Sequence, residues 1–261
     1  MTHKDAGWNP IDKILIDGKG LLLAYDHGFE YGPSSFDLRS VNPENVVALA
    51  NDGHFTGFIC QKGIAAKFYR QSDHTVPLIV KLNGKTSFRL HDEPLSLQNC
   101  TVEEAISYGA VGVGYVIHVG SIHEPQMLAE FGKIEREAHA HGLFVLAWMY
   151  VAGDDLVSPQ EVDILAYSAR IGMELNADGI IIKYTGAPDS FKWVVANAAE
   201  CKVFVVGGPR TDTTYQLIDT AKDITKVGAA GFAIGRNVFQ AKEPGDVARQ
   251  LHKALFGKKE E

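Results

Sequence analysis

The stretch GIIIKYTGAPDS, residues 179–190, contains the parts of one β/α unit. Its three consecutive isoleucines are typical of a strand that is buried on both faces. The turn-forming glycine, proline and aspartate after them are typical of a loop that leads into a helix. Lys183 lies between the two, so a positive charge follows a strand that is otherwise apolar.

Seven further apolar runs resemble this one, and amphipathic helical patterns separate them. The runs are LLLAYD (21–26), TGFICQ (56–61), PLIVKL (77–82), VGVGYVIH (111–118), LFVLAWMY (143–150), VFVVGG (203–208) and GFAIGR (231–236). Eight strands alternating with helices predict an α/β protein that is a single-domain (β/α)8 TIM barrel over residues 1–261. A doubly wound open sheet is the alternative fold.

The composition excludes several classes of protein. The chain has 261 residues, of which 46% are hydrophobic, and its 25 basic and 32 acidic residues give a net charge of −7. No overall positive field exists to hold nucleic acid or an anionic membrane. Three separated cysteines favour reduced thiols, and no apolar run approaches the roughly 20 residues of a membrane-spanning helix. We expect a soluble, cytoplasmic protein.

The last two strands end in glycines and a basic residue. Phosphate sites of TIM barrels are often built from the loops after strands seven and eight. Glycine lets backbone N–H groups approach an anion, and arginine adds a charged, forked contact. Gly207, Gly208, Gly235 and Arg236 therefore form a candidate phosphate site. The alternative interpretation is that the glycines only make tight turns.

Lys183 lies one strand away from this candidate site. A lysine amine attacks a carbonyl to form a Schiff base when it is neutral, and apolar surroundings or a nearby cation favour that form. Lys62, Lys81 and Lys85 also lie near predicted strand ends and compete for the same role. Alternatively, Lys183 reaches solvent or pairs with a carboxylate, as most lysines do.

Schiff-base chemistry also needs a group that moves protons. Tyr150 lies at the end of the strand next to that of Lys183 and shares a face with Trp148, because side chains alternate along a strand. Asp26, at the end of the first strand, could hold an ammonium ion or a carbinolamine. The alternative for Trp148 and Tyr150 is core packing with a satisfied polar tip.

The ten histidines raise the possibility of a metal site. His27 and His118 fall at strand ends, but no HxxxH spacing or cysteine pair accompanies them. His139 and His141 are two apart in a helical pattern and point to different sides. We predict neither a metal nor another cofactor.

Several motifs, in order along the chain, carry a family resemblance. LLAYDHGFEYGP, VPLIVKLNGKT, WMY, IIIKYTGAPDSF, GGPRT and GAAGFAIGRNVFQ resemble the archaeal-type class I fructose-1,6-bisphosphate aldolases, a group that shares these motifs with aminodideoxyheptulosonate synthases. The resemblance implies a (β/α)8 fold, a metal-independent mechanism, a sugar phosphate substrate and a homo-oligomer, commonly a decamer.

The resemblance also implies roles for individual residues. The lysine of KYTG, which matches Lys183, forms the Schiff base, and the tyrosine that matches Tyr150 carries the proton. The family's aspartate matches Asp26, and its phosphate ligands match Gly207, Gly208, Gly235 and Arg236. Trp148 is included with the catalytic residues. His27 and Lys81 are assigned to substrate binding.

Two departures from the family pattern bear on specificity. The family usually reads Tyr-Pro-Arg-Gly where this chain reads Tyr150-Val151-Ala152-Gly153, so a basic side chain is missing beside the tyrosine. Relatives often read EHGP where this chain has Glu30-Tyr31-Gly32-Pro33. If those positions hold the distal phosphate of the substrate, this chain uses an aldehyde other than glyceraldehyde 3-phosphate.

The sequence thus predicts reversible cleavage of fructose 1,6-bisphosphate, or a related ketose 1-phosphate, to dihydroxyacetone phosphate and an aldehyde. The alternatives are a lysine-dependent transaldolase or synthase acting on another sugar phosphate, a zinc aldolase, and a sugar-phosphate-binding protein without activity.

Overall fold

The eight apolar runs form eight parallel strands. The computed structural model describes residues 9–70, 72–89, 91–152, 162–208, 210–211 and 213–257. The strands are β1 (Gly20–Tyr25), β2 (Gly57–Gln61), β3 (Leu78–Lys81), β4 (Gly112–Val119), β5 (Phe144–Val151), β6 (Gly179–Ile182), β7 (Lys202–Val206) and β8 (Gly231–Ile234). β1 pairs with β8, so the sheet is closed. The predicted (β/α)8 barrel is confirmed, and the open sheet is excluded.

Helices connect the strands and cover the outside of the barrel. They are α1 (His27–Tyr31), α2 (Pro43–Ala50), α3 (Lys62–Ile64), α4 (Val102–Ser107), α5 (Glu124–Ala140), α6 (Val162–Glu174), α7 (Pro188–Ala198), α8 (Thr214–Lys226), α9 (Arg236–Phe239) and α10 (Pro244–Phe256). In the part of the chain that the structure describes, no helix has the length and apolarity needed to cross a membrane.

The continuous apolar runs reflect burial on both faces of each strand. Along β1, Leu21 and Leu23 pack against the outer helices, whereas Leu22 and Ala24 point into the barrel. Side chains that alternate in a strand therefore supply two separate hydrophobic clusters, one inside the barrel and one around it. No polar face remains, which explains why the runs show no alternation of apolar and polar residues.

The interior of the barrel is filled at its amino-terminal end. A short 3-10 helix, Pro10–Ile14, precedes β1, and its Ile11 and Ile14 are fully buried in the inner cluster. Asn9 caps this helix by accepting a hydrogen bond from the Ile11 N–H. Because this end is packed with side chains, a ligand can enter the barrel only from the carboxyl ends of the strands.

Candidate active site

A cavity of about 490 Å³ lies at the carboxyl ends of the strands. Its walls come from β1, β5, β6, β7 and β8, together with α1 and α6. Nine of the ten predicted site residues line this cavity: Asp26, His27, Trp148, Tyr150, Lys183, Gly207, Gly208, Gly235 and Arg236. The structure thus brings together residues that lie up to 210 positions apart in the sequence, which leaves Lys81 as the predicted residue outside the lining.

Lys183 is the first residue after β6. In the register of β5 and β6, Trp148 lies opposite Ile181, so two residues further along each strand lead to Tyr150 and Lys183. The Lys183 side chain is exposed at the cavity, whereas the sequence predicted apolar surroundings. The reason is that β6 ends at Ile182, so Lys183 lies beyond the packed layers. It forms no ion pair with any residue in the described ranges.

Lys81 is held very differently. It is completely buried, its Nζ lies 2.7 Å from Asp26 Oδ2, and it also contacts Glu30 Oε1. Burial lowers the pKa of Lys81, but the two carboxylates outweigh that effect and raise the pKa above its ordinary value. The amine is therefore kept as an ammonium ion. It cannot act as a nucleophile in this arrangement, and Lys81 is not among the residues that line the cavity, so its role in substrate binding stays a prediction.

The other two competing lysines also lie outside this cavity. Lys62 Nζ, at the start of α3, pairs with Glu104 Oε1 of α4 at 3.1 Å. Lys85 Nζ donates a hydrogen bond of 3.4 Å to the Thr86 carbonyl and lines a separate cavity. Of the four lysines considered from the sequence, only Lys183 lines the cavity that holds Tyr150.

Tyr150 and Trp148 lie on the same face of β5. Burial raises the pKa of the Tyr150 hydroxyl, and the negative charges of Glu30 and Asp26 add to that effect, whereas Lys81 opposes it. The Trp148 ring lies 5.1 Å from Lys81 Nζ, within range of a cation–π contact. Trp148 is buried in the inner cluster, which is the core packing given as the alternative, and it also lines the cavity, so its catalytic role stays a prediction.

Asp26 and His27 follow β1 directly. Burial raises the pKa of Asp26, but Lys81 and His27 outweigh this and lower it, so the carboxylate is ionised. The His27 Nδ1 atom lies 3.5 Å from Asp26 Oδ1. Burial lowers the pKa of His27 despite that carboxylate, which keeps the imidazole neutral. A neutral imidazole can donate a hydrogen bond to a sugar hydroxyl or accept one from it, without adding charge to the site.

The opposite part of the cavity is suited to an anion. Gly235 sits between β8 and α9, and a Cβ atom there would lie 2.3 Å from the His27 ring and 2.4 Å from the Ala24 carbonyl oxygen, so the position accepts only glycine. Arg236 Nη2 lies 3.5 Å from the Gly208 carbonyl oxygen, and its guanidinium group lies 5.2 Å from the Tyr31 ring. The glycine loops after β7 and β8 and one guanidinium group thus meet here.

Asn237 ties the two glycine loops together. Its Nδ2 donates to the Gly207 carbonyl at 2.8 Å, and its Oδ1 accepts from the Thr211 N–H at 2.7 Å. This amide fixes the loop after β7 against the start of α9. The sequence analysis did not identify it, because a single asparagine after an arginine carries no pattern of its own.

Glu30 is the second residue that the sequence analysis missed as part of the charged network. It lies four positions after Asp26, and the short α1 helix brings both carboxylates to the same ammonium ion. The i, i+4 spacing of two acidic residues after a strand end was the available signal. Burial and Asp26 raise the pKa of Glu30 in spite of Lys81. Of the two carboxyl groups, Glu30 is therefore the one that more readily takes up a proton.

The histidines considered as metal ligands have other partners. His118 Nε2 lies 3.0 Å from Ser96 Oγ, and His139 lies between Glu135 and Asp178 at 2.8 Å from each. Within the described ranges, no three histidine, cysteine, aspartate or glutamate residues are grouped as metal ligands would be.

A closed (β/α)8 barrel with an anion-binding end and a lysine and tyrosine on neighbouring strands defines an aldolase-type site. The chain belongs to the DeoC/LacD family of aldolases, whose sequence pattern matches residues 21–241.

Individual relatives narrow the comparison to one branch of that family. The chain is 43% identical to the class 1 fructose-bisphosphate aldolase of Thermoproteus tenax over 244 residues, which cover 93% of this chain and 91% of that protein. It is 37% identical to the class 1 fructose-bisphosphate aldolase of Halobacterium salinarum, with 88% of each chain covered.

Solved structures agree with the sequence comparisons. An archaeal fructose-1,6-bisphosphate aldolase, with its catalytic lysine covalently bound to the carbinolamine intermediate of the substrate, has a TM-score of 0.89 to this chain and 42% sequence identity. The alignment covers 95% of this chain and 98% of that one. The predicted resemblance to the archaeal class I enzymes is therefore confirmed.

Proposed function

We propose that this protein is a class I aldolase that forms a Schiff base at Lys183 and reversibly cleaves fructose 1,6-bisphosphate or a closely related ketose 1-phosphate. The products are dihydroxyacetone phosphate and an aldehyde. The observation that carries the assignment of the lysine is the contrast between Lys81 and Lys183. Lys81 is held as an ammonium ion by two carboxylates, whereas Lys183 lines the cavity and is free of ion pairs with the described residues.

The reaction begins with attack of the neutral Lys183 amine on the C2 carbonyl of the open-chain ketose. Tyr150 keeps its proton at rest, because burial raises its pKa, and it gives that proton to the carbinolamine hydroxyl as water leaves, which yields a protonated imine and a phenolate. The C3–C4 bond then breaks, its electron pair moves to C3 and the imine nitrogen, and the Tyr150 phenolate takes the proton of the C4 hydroxyl. The aldehyde departs, a proton returns to C3, and hydrolysis of the second imine frees Lys183.

The charged trio of Asp26, Glu30 and Lys81 adjoins Tyr150. Tyr150 carries a negative charge only as the phenolate, between giving up its proton and taking one from the C4 hydroxyl, and Lys81 is the cation that stabilises that charge. Asp26 belongs to this trio and also lines the cavity. It can therefore accept a hydrogen bond from the carbinolamine hydroxyl as water leaves. Arg236 and the glycine loops bind the C1 phosphate and so place C2 at Lys183.

The assignment of Lys183 is tested by borohydride trapping with dihydroxyacetone phosphate, followed by peptide mass mapping. We expect a chelator-insensitive adduct on the Lys183 peptide of the wild type and none in Lys183→Met. An adduct on the Lys81 or Lys85 peptide would support the class I aldolase function but would assign the Schiff base to a lysine other than Lys183. Activity that chelator abolishes, without any adduct, would overturn the Schiff-base mechanism.

We further propose that the chain forms a homo-oligomer, with a decamer as the expected size, and that it is cytoplasmic. Large apolar side chains support the assembly, because several are more than half exposed: Leu38, Val41, Phe88, Ile122, Tyr167, Trp193 and Tyr215.

A further inference from the structure

The cavity offers cationic groups for one phosphate at its glycine end. Arg236 lies there with Gly207, Gly208 and Gly235, and the Tyr31 ring packs against its guanidinium group. Arg210 follows the same glycine loop. The stacking and the contact with the Gly208 carbonyl orient Arg236 toward the glycine loops, so its charge serves the anion bound at that end.

The rest of the cavity wall has a different character. Met149 and Val151 of β5 and Leu165 of α6 are apolar, and Tyr150 and Glu30 supply a hydroxyl and a carboxylate. A hydroxylated sugar chain finds hydrogen-bonding partners on this wall. A phosphate dianion instead faces an acidic residue and a phenol, and has to lose water without gaining a counter-charge.

The cations near this wall already have partners or other roles. Among the described lining residues, Lys183 and Arg236 are the only lysine and arginine, and the proposed reaction uses the first as the imine and the second for the C1 phosphate. Lys81 is neutralised by Asp26 and Glu30. Lys85 belongs to a separate cavity, together with Arg89, Asp92 and Glu93.

The amino-acid sequence supplies no further cation at the end of β5. Residues 151–169 contain no lysine, arginine or histidine, and they include Asp154, Asp155, Glu161 and Asp163. The residues that directly follow Tyr150 in the sequence therefore contribute no basic side chain for a second phosphate.

From this charge distribution we infer that the preferred substrates are ketose 1-phosphates whose aldehyde fragment carries no phosphate, such as fructose 1-phosphate. This inference rests on the proposed function and narrows its substrate class. The C1 phosphate is bound at the glycine end, and the C4 to C6 hydroxyls face Tyr150 and Glu30. Specificity arises because the second phosphate of a bisphosphate is left without a cation, not because the cavity is too small for it.

The test is a comparison of kcat/KM for fructose 1-phosphate and fructose 1,6-bisphosphate with the wild-type protein. We expect the monophosphate to be favoured at least about tenfold, the ratio that corresponds to about 1.4 kcal/mol. In the condensation direction, glyceraldehyde should be favoured over glyceraldehyde 3-phosphate. A preference for the bisphosphate overturns the inference and leaves the aldolase function standing. Cleavage of neither sugar, with no borohydride adduct, refutes the proposed function itself.

A pair of variants isolates the effect of charge. Ala152 directly follows Val151, which is the last residue of β5 and lines the cavity. Ala152→Arg adds a cation there, and Ala152→Gln adds a polar side chain without charge. We expect Ala152→Arg to raise the kcat/KM ratio of bisphosphate to monophosphate, and Ala152→Gln to leave it unchanged. An equal rise in both variants contradicts the charge argument.

Discussion

At the scale of single residues, the site depends on two lysines with opposite environments. Both follow apolar strands, and the sequence alone left the choice between them open. The difference comes from Asp26 and Glu30, which lie 55 and 51 positions away from Lys81. A local sequence pattern does not show contacts between residues so far apart. It could therefore indicate which lysines lie at strand ends, but not which of them is paired with carboxylates.

His118 provides a prediction about stability and pH. It is buried, and burial lowers its pKa to about 4, with Lys85 and Lys81 adding to the effect. In the unfolded chain the pKa of histidine returns to about 6.5. Between these two values the unfolded state binds more protons than the folded state, so the free energy of unfolding falls as the pH falls from about 6.5 toward 4.

We expect this loss in the wild type to approach about 1.4 kcal/mol per pH unit from His118 alone. His118→Gln keeps a hydrogen-bonding group for Ser96 but cannot titrate, so its unfolding free energy should depend less on pH over this range. Urea denaturation at several pH values between 4.5 and 7 measures the difference. Equal slopes in the two proteins would contradict the assignment.

At the scale of secondary structure elements, the strands were predictable to within a few residues. The reason is physical, since burial on both faces leaves an uninterrupted apolar run that ends where the strand reaches the cavity. The predicted run 143–150 and the strand Phe144–Val151 are an example. The loops were less predictable, because the bond from Asn237 to the loop after β7 joins elements that are distant in the sequence.

The turn between β8 and α9 yields a prediction for phosphate binding. Gly235→Ala places a Cβ atom against the His27 ring and the Ala24 carbonyl, so both the turn and the imidazole have to shift. We expect KM for the sugar phosphate to rise at least about tenfold, a loss of about 1.4 kcal/mol in binding. Inhibition by inorganic phosphate should weaken in parallel.

Gly63→Ala is the matched control for this change. Gly63 follows β2 in the short α3 helix, and a Cβ atom there would meet nothing within 4 Å. Its kinetics should equal those of the wild type. An unchanged KM and unchanged phosphate inhibition in Gly235→Ala would show that the anion binds elsewhere.

At the scale of the whole molecule, the barrel depends on the pairing of its first and last strands. Gly231 lies opposite Gly20, and a Cβ atom on Gly231 would lie 1.9 Å from the Gly20 carbonyl oxygen. The φ of Gly231 is also +143°, a backbone conformation that other residues rarely adopt. The first and last strands therefore close the sheet only with glycine at this position.

We expect Gly231→Ala to destabilise the whole barrel by several kcal/mol, since a backbone clash cannot be relieved by a side-chain rotation. Thermal unfolding followed by circular dichroism should show a large decrease in Tm or a loss of folded protein. Gly63→Ala again serves as the reference. A Tm close to that of the wild type would mean that β1 and β8 can separate without cost.

The double ion pair of Lys81 also bears on the chemical durability of the molecule. An aldolase releases a reactive aldehyde at every turnover, and any neutral amine near the point of release is exposed to adventitious carbonyl adducts. Two carboxylates keep the Lys81 amine protonated, and a protonated amine does not react with the aldehyde that the enzyme releases. The same contacts thereby protect the buried lysine from covalent self-damage, and leave Lys183 as the amine for the proposed imine.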